Sequence, residues 1–385
     1  MTASLSHPAS QNFAEQPEGR VFLNAAYMSP KPSSAIEVMQ TMLGRCASPD
    51  FGKSDFFETG ERVRELLAQV VGGSAGAYSL TGAASYGMST LAWNLRLQPD
   101  VLVGKRRRIL GVDGQFPSNV QVWKRLESAG FELHLVEGGV GATERLLAAL
   151  GEDSALLAIA PLSWTDGHRL DTHSLVRAAR DAGALSLLDV TQSAGVDPAI
   201  TDEDRPDVVV GAGYKWLLGP YGTGFMRLTP ALQEVLEPLE ASWKNFAGAD
   251  DFNRLTEYQS NFASAAAKFD HGQSSAFVRM PGWEEGLRSL LRIGPAAVKA
   301  HSVAFSQELQ AGLDRTRYGL SPIESDSQAT HLFQVLPKND SEFETKTAAF
   351  ADAGVSVSRR AGGWRLSPHV YNDETDLKRF LAVLS

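Results

Sequence analysis

"LLDVTQSAG", residues 187–195, ends an apolar run with a carboxylate, Asp189, and places a glutamine, Gln192, three residues later. A carboxylate at the end of a core strand is costly unless it meets a cation or a hydrogen-bond donor. The next apolar run, "VVVGAG" (208–213), is followed closely by Lys215. Since ligands of parallel sheets bind where the strands end, these side chains predict a ligand site shared by two neighbouring strands.

The alternation of short apolar runs and helix-like stretches extends on both sides of this region, from about residue 35 to residue 250. Helix-like stretches such as "SNVQVWKRLES" and "THSLVRAARDAG" lie between the apolar runs. This alternation predicts an α/β fold with a mostly parallel sheet flanked by helices. The runs that predict strands are "RILGV", "ELHLVEG", "ALLAIAPL", "LSLLDV", "VVVGAG" and "TGFMRL".

The length of 385 residues allows two or three domains. The polar N-terminal segment 1–20 is expected to be loosely held, and a large ligand-binding domain is predicted over residues 21–250. The sequence changes character near 245–260, which indicates a linker. Residues 251–385 predict a smaller C-terminal α+β domain that closes with the helical stretch "DETDLKRFLAVL".

Composition narrows the possible function classes. The formal net charge of -9 and the pI of about 5.5 argue against nucleic acid or an anionic membrane as the main partner. Cys46 is the only cysteine, which excludes disulfide scaffolds and cysteine-rich metal clusters within one chain. The histidines form no metal-binding motif, so no metal site is expected. The sequence shows neither a secretory signal nor an apolar run of about 18 residues, so we expect a cytoplasmic protein.

Three short motifs resemble nucleotide or nucleophile sites but fail in their context. "VVVGAGYKW" would need a glycine at Trp216 to match a dinucleotide-binding fingerprint. "FGKS" (51–54) ends like a phosphate-binding loop but lacks the leading glycine and the strand. "GGSAG" (72–76) resembles a nucleophile elbow, yet a helical stretch precedes it and favours a helix C-cap. A nicotinamide-binding or non-catalytic α/β protein stays open as the alternative from another class.

The surroundings of Lys215 favour covalent amine chemistry. A lysine held among aromatic residues and glycines can have a lowered pKa, which makes it a nucleophile suited to a Schiff base. An aspartate such as Asp189, placed beside a pyridine ring, would keep the ring nitrogen protonated and make the ring an electron sink. The two residues together therefore favour a cofactor with a pyridine ring.

An anion site is predicted further upstream, in "SLTGAASYGMSTLAWNL" (79–95). A strand end, a Thr-Gly turn and a helix follow one another there, so free backbone N–H groups would face an anion at the positive end of the helix dipole. An ordinary helix N-cap is the alternative explanation. The candidate residues are Gly82, Ala83, Ala84 and Ser85, and the last of them can add a hydroxyl group.

"LLDVTQSAG" followed by "GAGYKWLLGPYGTGFM" resembles the class V aminotransferase group of fold-type I pyridoxal 5'-phosphate (PLP) enzymes, which includes cysteine desulfurases, kynureninases and isopenicillin N epimerase-like proteins. The resemblance extends from "FLNAAYMSP" to "RLSPHVYN". It implies PLP as the cofactor, Lys215 as the Schiff-base lysine and Asp189 as the partner of the pyridinium nitrogen. It also implies that Gln192 hydrogen-bonds the phenolic oxygen of the ring and that Tyr214 reaches the phosphate.

Further segments are similar to cofactor-binding segments of the same family. "GQFPSN" implies that the ring of Phe116 stacks on the cofactor, although a core phenylalanine is the alternative. "PLSWTDGHRLD" implies that Ser163 or Trp164 lies near the phenolic oxygen. "KFDHGQSS" implies that Gly272 and Gln273 reach the phosphate bound by a partner subunit. Family members share active sites between two subunits, so a homodimer is expected.

The late segment "GGWRLSPHVYN" is similar to the strand whose arginine binds the substrate carboxylate in the family. Arg365 is the candidate, because the guanidinium fork suits bidentate pairing with a carboxylate. Arg359 and Arg360 are competitors. Cysteine desulfurases carry a catalytic cysteine on a loop in the later part of the chain, whereas Cys46 lies far upstream. Persulfide-forming desulfurase activity is therefore not expected.

The resemblance implies a PLP-dependent enzyme that acts on an amino acid through Lys215. Among the reactions of the group, a lyase-type reaction at the β- or γ-carbon, such as C–S cleavage, is the preferred hypothesis. An aminotransferase or an amino-acid epimerase is the alternative within the family. The residues that would choose among these reactions, and the substrate itself, are not indicated by the sequence.

Overall fold

The computed structural model describes residues 5–14, 17, 19–197, 205–321, 330–360 and 362–385. Part of the predicted N-terminal segment, and Ala329 at the start of the predicted strand "ATHLFQVLP", lie outside these residues. The strands are β1 (Val21–Phe22), β2 (Tyr78–Thr81), β3 (Arg108–Val112), β4 (Glu132–Val136), β5 (Ser154–Ile159), β6 (Leu185–Asp189), β7 (Val208–Ala212), β8 (Gly224–Leu228), β9 (Tyr318–Leu320), β10 (Phe333–Pro337), β11 (Val355–Ser356), β12 (Ser358–Arg360) and β13 (Gly363–Leu366). The α-helices are α1 (Ser33–Arg45), α2 (Lys53–Val71), α3 (Ala84–Leu97), α4 (Pro99–Val103), α5 (Ser118–Lys124), α6 (Ala142–Ala149), α7 (Thr172–Asp181), α8 (Pro230–Val235), α9 (Arg279–Ile293), α10 (Pro295–Gly312), α11 (Asp340–Asp352) and α12 (Glu374–Leu384).

A seven-stranded sheet with the order β2-β8-β7-β6-β5-β3-β4 forms the centre of the fold. Strands β3 to β7 pair in parallel, whereas β8 runs antiparallel to both of its neighbours, β7 and β2. Strand β2 therefore points in the same direction as β7. The carboxyl ends of β2, β6 and β7 consequently meet at one edge of the sheet. The predicted α/β fold with a mostly parallel sheet is confirmed.

Both faces of this sheet are buried, which explains the continuous apolar runs in the sequence. Along β6, Leu187 belongs to one hydrophobic cluster and Leu188 to the cluster on the opposite face. Ile109 and Leu110 of β3 divide between the two clusters in the same way. Because successive side chains of a strand point to opposite faces, each face needs its own covering layer of helices.

A second, four-stranded antiparallel sheet, with the order β12-β13-β10-β9, lies in the later part of the chain. Its core is aromatic and includes the fully buried residues Phe333, Phe350, Trp364 and Phe380. Strand β1 pairs in parallel with β11, so the beginning of the chain contributes to this region as well. The predicted division at residue 250 stays a prediction. Among the described helices, none is long and apolar enough to cross a membrane.

Candidate active site

A cavity of about 380 Å³ opens at the edge of the large sheet where β6 and β7 end and α3 begins. Aromatic rings, one lysine, one carboxylate and a run of backbone from the start of α3 form its walls. The sequence-predicted residues that line the cavity are Gly82, Ala83, Ala84, Ser85, Phe116, Asp189, Gln192, Tyr214 and Lys215.

The loop after β7 holds Lys215 in a tightly packed turn. A Cβ atom on Gly213 would lie 2.4 Å from the Thr223 hydroxyl oxygen and 2.8 Å from the ring of Trp283, so only glycine fits there. Leu218 adopts a positive φ of 56°, a conformation that persists only where the surroundings enforce it. The turn is thus fixed by its neighbours, and this fixes the point from which the Lys215 side chain enters the cavity.

The amine of Lys215 lies in a desolvated position, and the residue is 7% exposed. Its Nζ is 5.7 Å from the ring centroid of Phe116 and 5.8 Å from that of Tyr214. Burial, followed by repulsion from Arg365, lowers the pKa of Lys215 to about 8, although Asp189 acts in the opposite direction. At this pKa the neutral fraction at pH 7 is roughly one-tenth, far larger than for an ordinary lysine, and the neutral amine is the nucleophile.

Asp189 ends β6 and is buried beside the same cavity. One carboxylate oxygen accepts a hydrogen bond from the backbone N–H of Thr191 at 3.1 Å. Burial raises the pKa of Asp189, and the hydrogen bonds from Thr191 and the charge of Lys215 only partly oppose this. Among the described residues, no lysine or arginine forms an ion pair with the carboxylate. A protonated ring nitrogen would supply the missing positive partner.

The Gln192 side chain is held by contacts that the sequence did not predict. Its Oε1 accepts a hydrogen bond from Trp216 Nε1 at 3.0 Å, and its Nε2 donates to the carbonyl of Ala26 at 3.1 Å. The imidazole of His331 contacts the Gln192 backbone carbonyl. The amide retains one N–H in a fixed orientation at the cavity wall, where it could meet an oxygen atom of a ligand.

Backbone N–H groups at the start of α3 belong to residues that also line the cavity. Ala83, the N-cap residue, makes no side-chain capping hydrogen bond, so the first helical N–H groups are available to an anion. Two glycines bring this turn close to the sheet. A Cβ atom on Gly224 would lie 2.9 Å from the carbonyl carbon of Ala83, and one on Gly87 would lie 2.5 Å from a Val210 methyl group. The fit is therefore set by Gly87 within α3 and by Gly224, which is remote in sequence.

Phe116 lines the cavity and is 44% exposed, which distinguishes it from an ordinary core phenylalanine. Its ring meets the indole of Trp164 edge-on, with 5.3 Å between the ring centroids. The indole N–H of Trp164 donates to the carbonyl of Gly114 at 2.9 Å. Gly114 has a φ of 78°, a left-handed conformation that favours glycine. The two aromatic residues together form one wall of the cavity.

Lys31 is a further residue near the site that the sequence did not reveal. Its Nζ donates to the carbonyl of Tyr214 at 2.7 Å and to the carbonyl of Ser29 at 2.6 Å. Burial lowers the pKa of Lys31 to about 7. This lysine thereby anchors the backbone next to Lys215. No local motif could have identified it, because Lys31 and Tyr214 are 183 positions apart.

Arg365 lies behind Trp164 and is only 1% exposed. One guanidinium nitrogen donates to the Trp164 carbonyl at 2.8 Å and the other to Asn24 Oδ1 at 3.3 Å, while Nε has no partner among the described residues. Burial, then repulsion from Arg360, lowers the pKa of Arg365 to about 9. A buried guanidinium that lacks a carboxylate partner in the described chain is costly, and an incoming carboxylate would relieve that cost.

The two competing arginines occupy different environments. Arg359 forms an ion pair with Glu344 at the surface and does not line the cavity. The guanidinium carbon of Arg360 lies 5.0 Å from the ring centroid of Trp164. Burial lowers the pKa of Arg360 as well. Arg360 therefore remains close to the site as a second cation, whereas Arg359 does not.

Arg365 and three other predicted residues do not line this cavity. Ser163 lies on the far side of Trp164, where its hydroxyl group is 2.9 Å from that of Thr165. Gly272 donates its N–H to Glu240 at 3.0 Å, and Gln273 follows it in the same loop. That loop adjoins the end of β2, since the N–H of His271 donates to the Leu80 carbonyl at 3.0 Å. Its predicted role across a subunit interface stays a prediction.

Cys46 lies at the C-terminal end of α1 and is exposed. Its thiol donates to the carbonyl of Met42 at 3.4 Å. The residue does not line the cavity that contains Lys215. In the part of the chain that the structure describes, no group of histidine, cysteine and acidic residues could hold a metal ion.

The sequence profile of the family described as "Aminotransferase class-V" matches residues 21–380. The chain therefore belongs to the class V aminotransferase family, as the sequence resemblance implied. A "Probable cysteine desulfurase" of Methanothermobacter thermautotrophicus is 25% identical over 354 residues, which are 89% of this chain and 84% of that protein.

Other relatives carry different names and match over shorter regions. "Kynureninase" of Pseudomonas fluorescens is 25% identical over 245 residues, 61% of this chain and 58% of that protein. "Isopenicillin N epimerase" of Streptomyces clavuligerus is 28% identical over 232 residues, 58% of this chain and 57% of that protein. The matched part thus spans less than two thirds of the length of these two relatives. The family is clear, whereas the names of its members cover several reactions.

Solved structures show the same fold over nearly the whole chain. A cysteine desulfurase from Thermococcus onnurineus superposes with a TM-score of 0.81 at 18% identity and covers 95% of this chain and 94% of that one. A cystine C–S lyase bound to cysteine persulfide gives 0.81 at 17% identity, with 95% and 97% covered.

The cofactor is pyridoxal 5'-phosphate, as the family and a solved relative with that cofactor bound indicate. The residues at the cavity fit this molecule. A desolvated amine is present for the aldehyde, a carboxylate without a cationic partner is present for the ring nitrogen, and uncapped helical N–H groups are present for the phosphate. These three features occur on separate elements of one cavity wall, as a phosphorylated pyridine would require.

Proposed function

We propose that this enzyme acts on an amino acid through Lys215 and catalyses a lyase-type cleavage at the β- or γ-carbon, such as C–S cleavage. The single observation that carries the proposal is the desolvated Lys215 amine beside Asp189 in the cavity. When bound, PLP supplies an electron sink that stabilises negative charge at the substrate α-carbon. The remaining tasks fall to side chains of the chain itself.

Lys215 would first hold the cofactor and then move a proton. Since its pKa is about 8, the amine is a good base at mildly alkaline pH. The Lys215 amine would hold the cofactor and would also remove the α-proton of the bound substrate. Asp189 would keep the proton on the ring nitrogen. Its burial strengthens this interaction, because no water competes for the carboxylate.

Arg365 would bind the carboxylate of the substrate, with Arg360 as a second cation next to it. Arg365 is buried without a carboxylate partner in the described chain, and it contacts the Trp164 loop that walls the cavity. A substrate carboxylate could pair with it through charge-assisted hydrogen bonds. The substrate would thereby be fixed at two points, its carboxylate and its amino group, which orients the bond to be broken.

Relatives support cleavage chemistry but leave the exact reaction to experiment. A relative named as a probable cysteine desulfurase aligns over 89% of this chain, and one named as an epimerase aligns over 58%. Cys46, the sole cysteine, is exposed and outside the cavity. We therefore favour release of a product without transfer to a thiol of this chain, with persulfide formation, transamination and epimerisation as outcomes to be tested.

We also propose that the enzyme is a homodimer in which Gly272 and Gln273 serve the phosphate site of the partner subunit. Their loop lies next to the end of β2, close to the start of the α3 turn, yet outside the cavity of its own subunit. In a two-fold symmetric dimer the same surface of both subunits meets, so a loop beside the phosphate site of its own subunit could contact the phosphate site of the partner. Sedimentation analysis of the holoenzyme would measure the oligomeric state.

The test of the proposed chemistry is borohydride reduction of the purified holoenzyme, followed by peptide mapping. The visible cofactor band should disappear, and the label should be found on Lys215. Lys31 and Lys244 are internal controls, because burial lowers the pKa of each to about 7 and about 8, respectively. Label on either of them instead, or a protein that gains no visible band with added PLP, would contradict the proposal.

The reaction type follows from product analysis with L-cysteine and L-cystine. Elimination should give a keto acid, ammonia and a sulfur product in equal amounts. Transamination would require an added keto acid, and epimerisation would give the D-enantiomer without any cleavage. The Lys215→Ala variant should lose whichever activity is found, whereas Lys105→Ala, a change at an exposed lysine, should keep it.

A further inference from the structure

A second cavity adjoins the cofactor cavity and is of nearly the same size. Its volume is about 360 Å³, compared with about 380 Å³ for the cofactor cavity. Ala160 and Trp164 line both of them, so the indole of Trp164 is a wall between the two spaces. The second cavity lies at the carboxyl ends of β3 and β5, at the same edge of the sheet as Lys215.

The loops after β3 and β4 leave this space open because they are rich in glycine. Gly114, Gly138 and Gly139 line the cavity, and a Cβ atom on Gly114 or Gly139 would meet nothing within 4 Å. Ala142, at the start of α6, lines it with a small side chain although the residue is buried. The open volume therefore results from small residues on several loops rather than from one gap in packing.

Three contacts hold the Trp164 indole between the cavities: a hydrogen bond to the Gly114 carbonyl, an edge-on contact with Phe116 and a contact with the Arg360 guanidinium. The Trp164 indole is partly exposed, and its hydrogen bond to the Gly114 carbonyl joins two neutral groups. Arg365 donates to the backbone carbonyl of Trp164 and not to its ring. Movement of the indole would therefore leave this contact of Arg365 in place.

Two carboxylates line the second cavity, whereas two arginines contact Trp164. Asp113, Asp166 and His168 line the second cavity, and no lysine or arginine is among the described residues that line it. In each carboxylate one oxygen accepts a backbone N–H, from Gly114 at 2.9 Å and from His168 at 3.1 Å, and the other is free in the described structure. Arg365 donates to the Trp164 carbonyl, the Arg360 guanidinium carbon lies 5.0 Å from the Trp164 ring centroid, and neither arginine is among the residues that line the second cavity.

We propose that the second cavity is the side-chain subsite of this active site, and that the substrate is an amino acid with a long side chain ending in a cationic group. This inference rests on the proposed function, because it needs the α-amino group at Lys215 and the α-carboxylate near Arg365. The side chain would then extend past Trp164 toward Asp113 and Asp166. Its apolar stem would contact Ala160 and Leu170, which also line the cavities.

The test uses L-lysine, L-norleucine and L-alanine as probes of the holoenzyme. L-Norleucine equals L-lysine without the terminal amine, and L-alanine reports binding without a long side chain. Calorimetry gives Kd, and the change in the visible cofactor band shows that each probe reaches the cofactor. We expect L-lysine to bind at least tenfold more tightly than L-norleucine.

The double variant Asp113→Asn with Asp166→Asn removes both charges and keeps the shape of the side chains. It should weaken L-lysine at least tenfold and leave L-norleucine and L-alanine unchanged. Asp314→Asn is the matched control. Asp314 and Asp166 each accept a hydrogen bond from the backbone N–H two residues later in the chain, but Asp314 lies in a turn remote from the second cavity. Equal loss of L-lysine binding in the control would overturn the subsite.

Ala142→Leu fills the second cavity without changing its charge. It should weaken L-lysine and L-norleucine by tenfold or more and spare L-alanine. If all three probes shift the cofactor band equally in the wild type and the charge variant, the subsite is wrong and the proposed function stands. If the band is present but no amino acid changes it, the proposed function fails and the subsite fails with it.

Discussion

Replacing His369 with phenylalanine should make the protein less sensitive to acid. The imidazole is fully buried and stacks on Tyr371 and Trp216, with centroid distances of 5.1 Å and 5.8 Å. Neither ring nitrogen has a hydrogen-bond partner among the described residues. Burial, reinforced by the nearby His301, lowers the pKa of His369 to about 3. Phenylalanine keeps a flat ring in this position and has no group that titrates.

The magnitude follows from the two protonation states. The unfolded chain takes up a proton on His369 below pH 6.5, whereas the folded protein does not until about pH 3. The wild type therefore loses stability as the pH falls through this window. Since pH 5 lies about 1.5 below the pKa of the unfolded chain, the free energy of unfolding is lower there by about 2 kcal/mol. At pH 7.5 the variant should be equal to the wild type or up to about 3 kcal/mol more stable, since it leaves no buried nitrogen unpaired.

Urea unfolding at pH 7.5 and pH 5.0, with excess PLP throughout, measures this effect. Between pH 7.5 and pH 5.0 the free energy of unfolding of the wild type should fall by about 2 kcal/mol more than that of the variant. His134→Gln, a change at an exposed histidine, should follow the wild type. A variant whose stability falls with pH as steeply as that of the wild type would refute the idea that a neutral, unpaired imidazole occupies this site.

Arg365→Lys should raise KM for carboxylate substrates by tenfold or more with a smaller effect on kcat, because the loss of a charged hydrogen bond costs about 1.5–3 kcal/mol. Steady-state kinetics measures both constants, and an unchanged KM would indicate that Arg360 binds the carboxylate instead. Asp189→Ala should abolish turnover while Lys215 still forms the borohydride-sensitive band, so full activity would remove its role at the ring nitrogen. Gly87→Ala should destabilise the fold by about 1–3 kcal/mol, since its Cβ would lie 2.5 Å from a Val210 methyl group. In contrast, Gly44→Ala, in α1 with nothing within 4 Å, should be neutral or stabilising in the same urea assay.

The sequence predicted those parts of the fold and site that depend on local pattern. Asp189 and Lys215 follow apolar runs, and parallel strands bring their carboxyl ends to one edge, so their proximity could be foreseen. The turn at Gly82 also precedes a helix with a regular apolar period. These features need only the order of strands and helices, and the structure places all three at one cavity.

The contacts that hold these groups in place could not be foreseen, because they join distant parts of the chain. Trp216 and Gln192 are 24 positions apart, Lys31 and Tyr214 are 183 apart, and His331 meets the Gln192 carbonyl across 139 positions. From the sequence, Trp216 could be recognised only as a residue that is too large for the glycine position of a dinucleotide-binding fingerprint. Its indole N–H orients the Gln192 amide, and this role becomes visible only once β6 and β7 have paired in the sheet.

In the proposed mechanism, Arg365 both binds the substrate carboxylate and changes the pKa of the base, Lys215. Arg365 is buried and charged, and its repulsion helps to lower the pKa of Lys215. A substrate carboxylate that pairs with Arg365 cancels most of that repulsion, so the Lys215 amine becomes more basic when the substrate is bound. Before binding, the lower pKa gives the amine a larger neutral fraction than an ordinary lysine has, and the neutral form is the one that reacts with the cofactor. After binding, the higher pKa suits the removal of an α-proton, and the change requires no movement of the backbone.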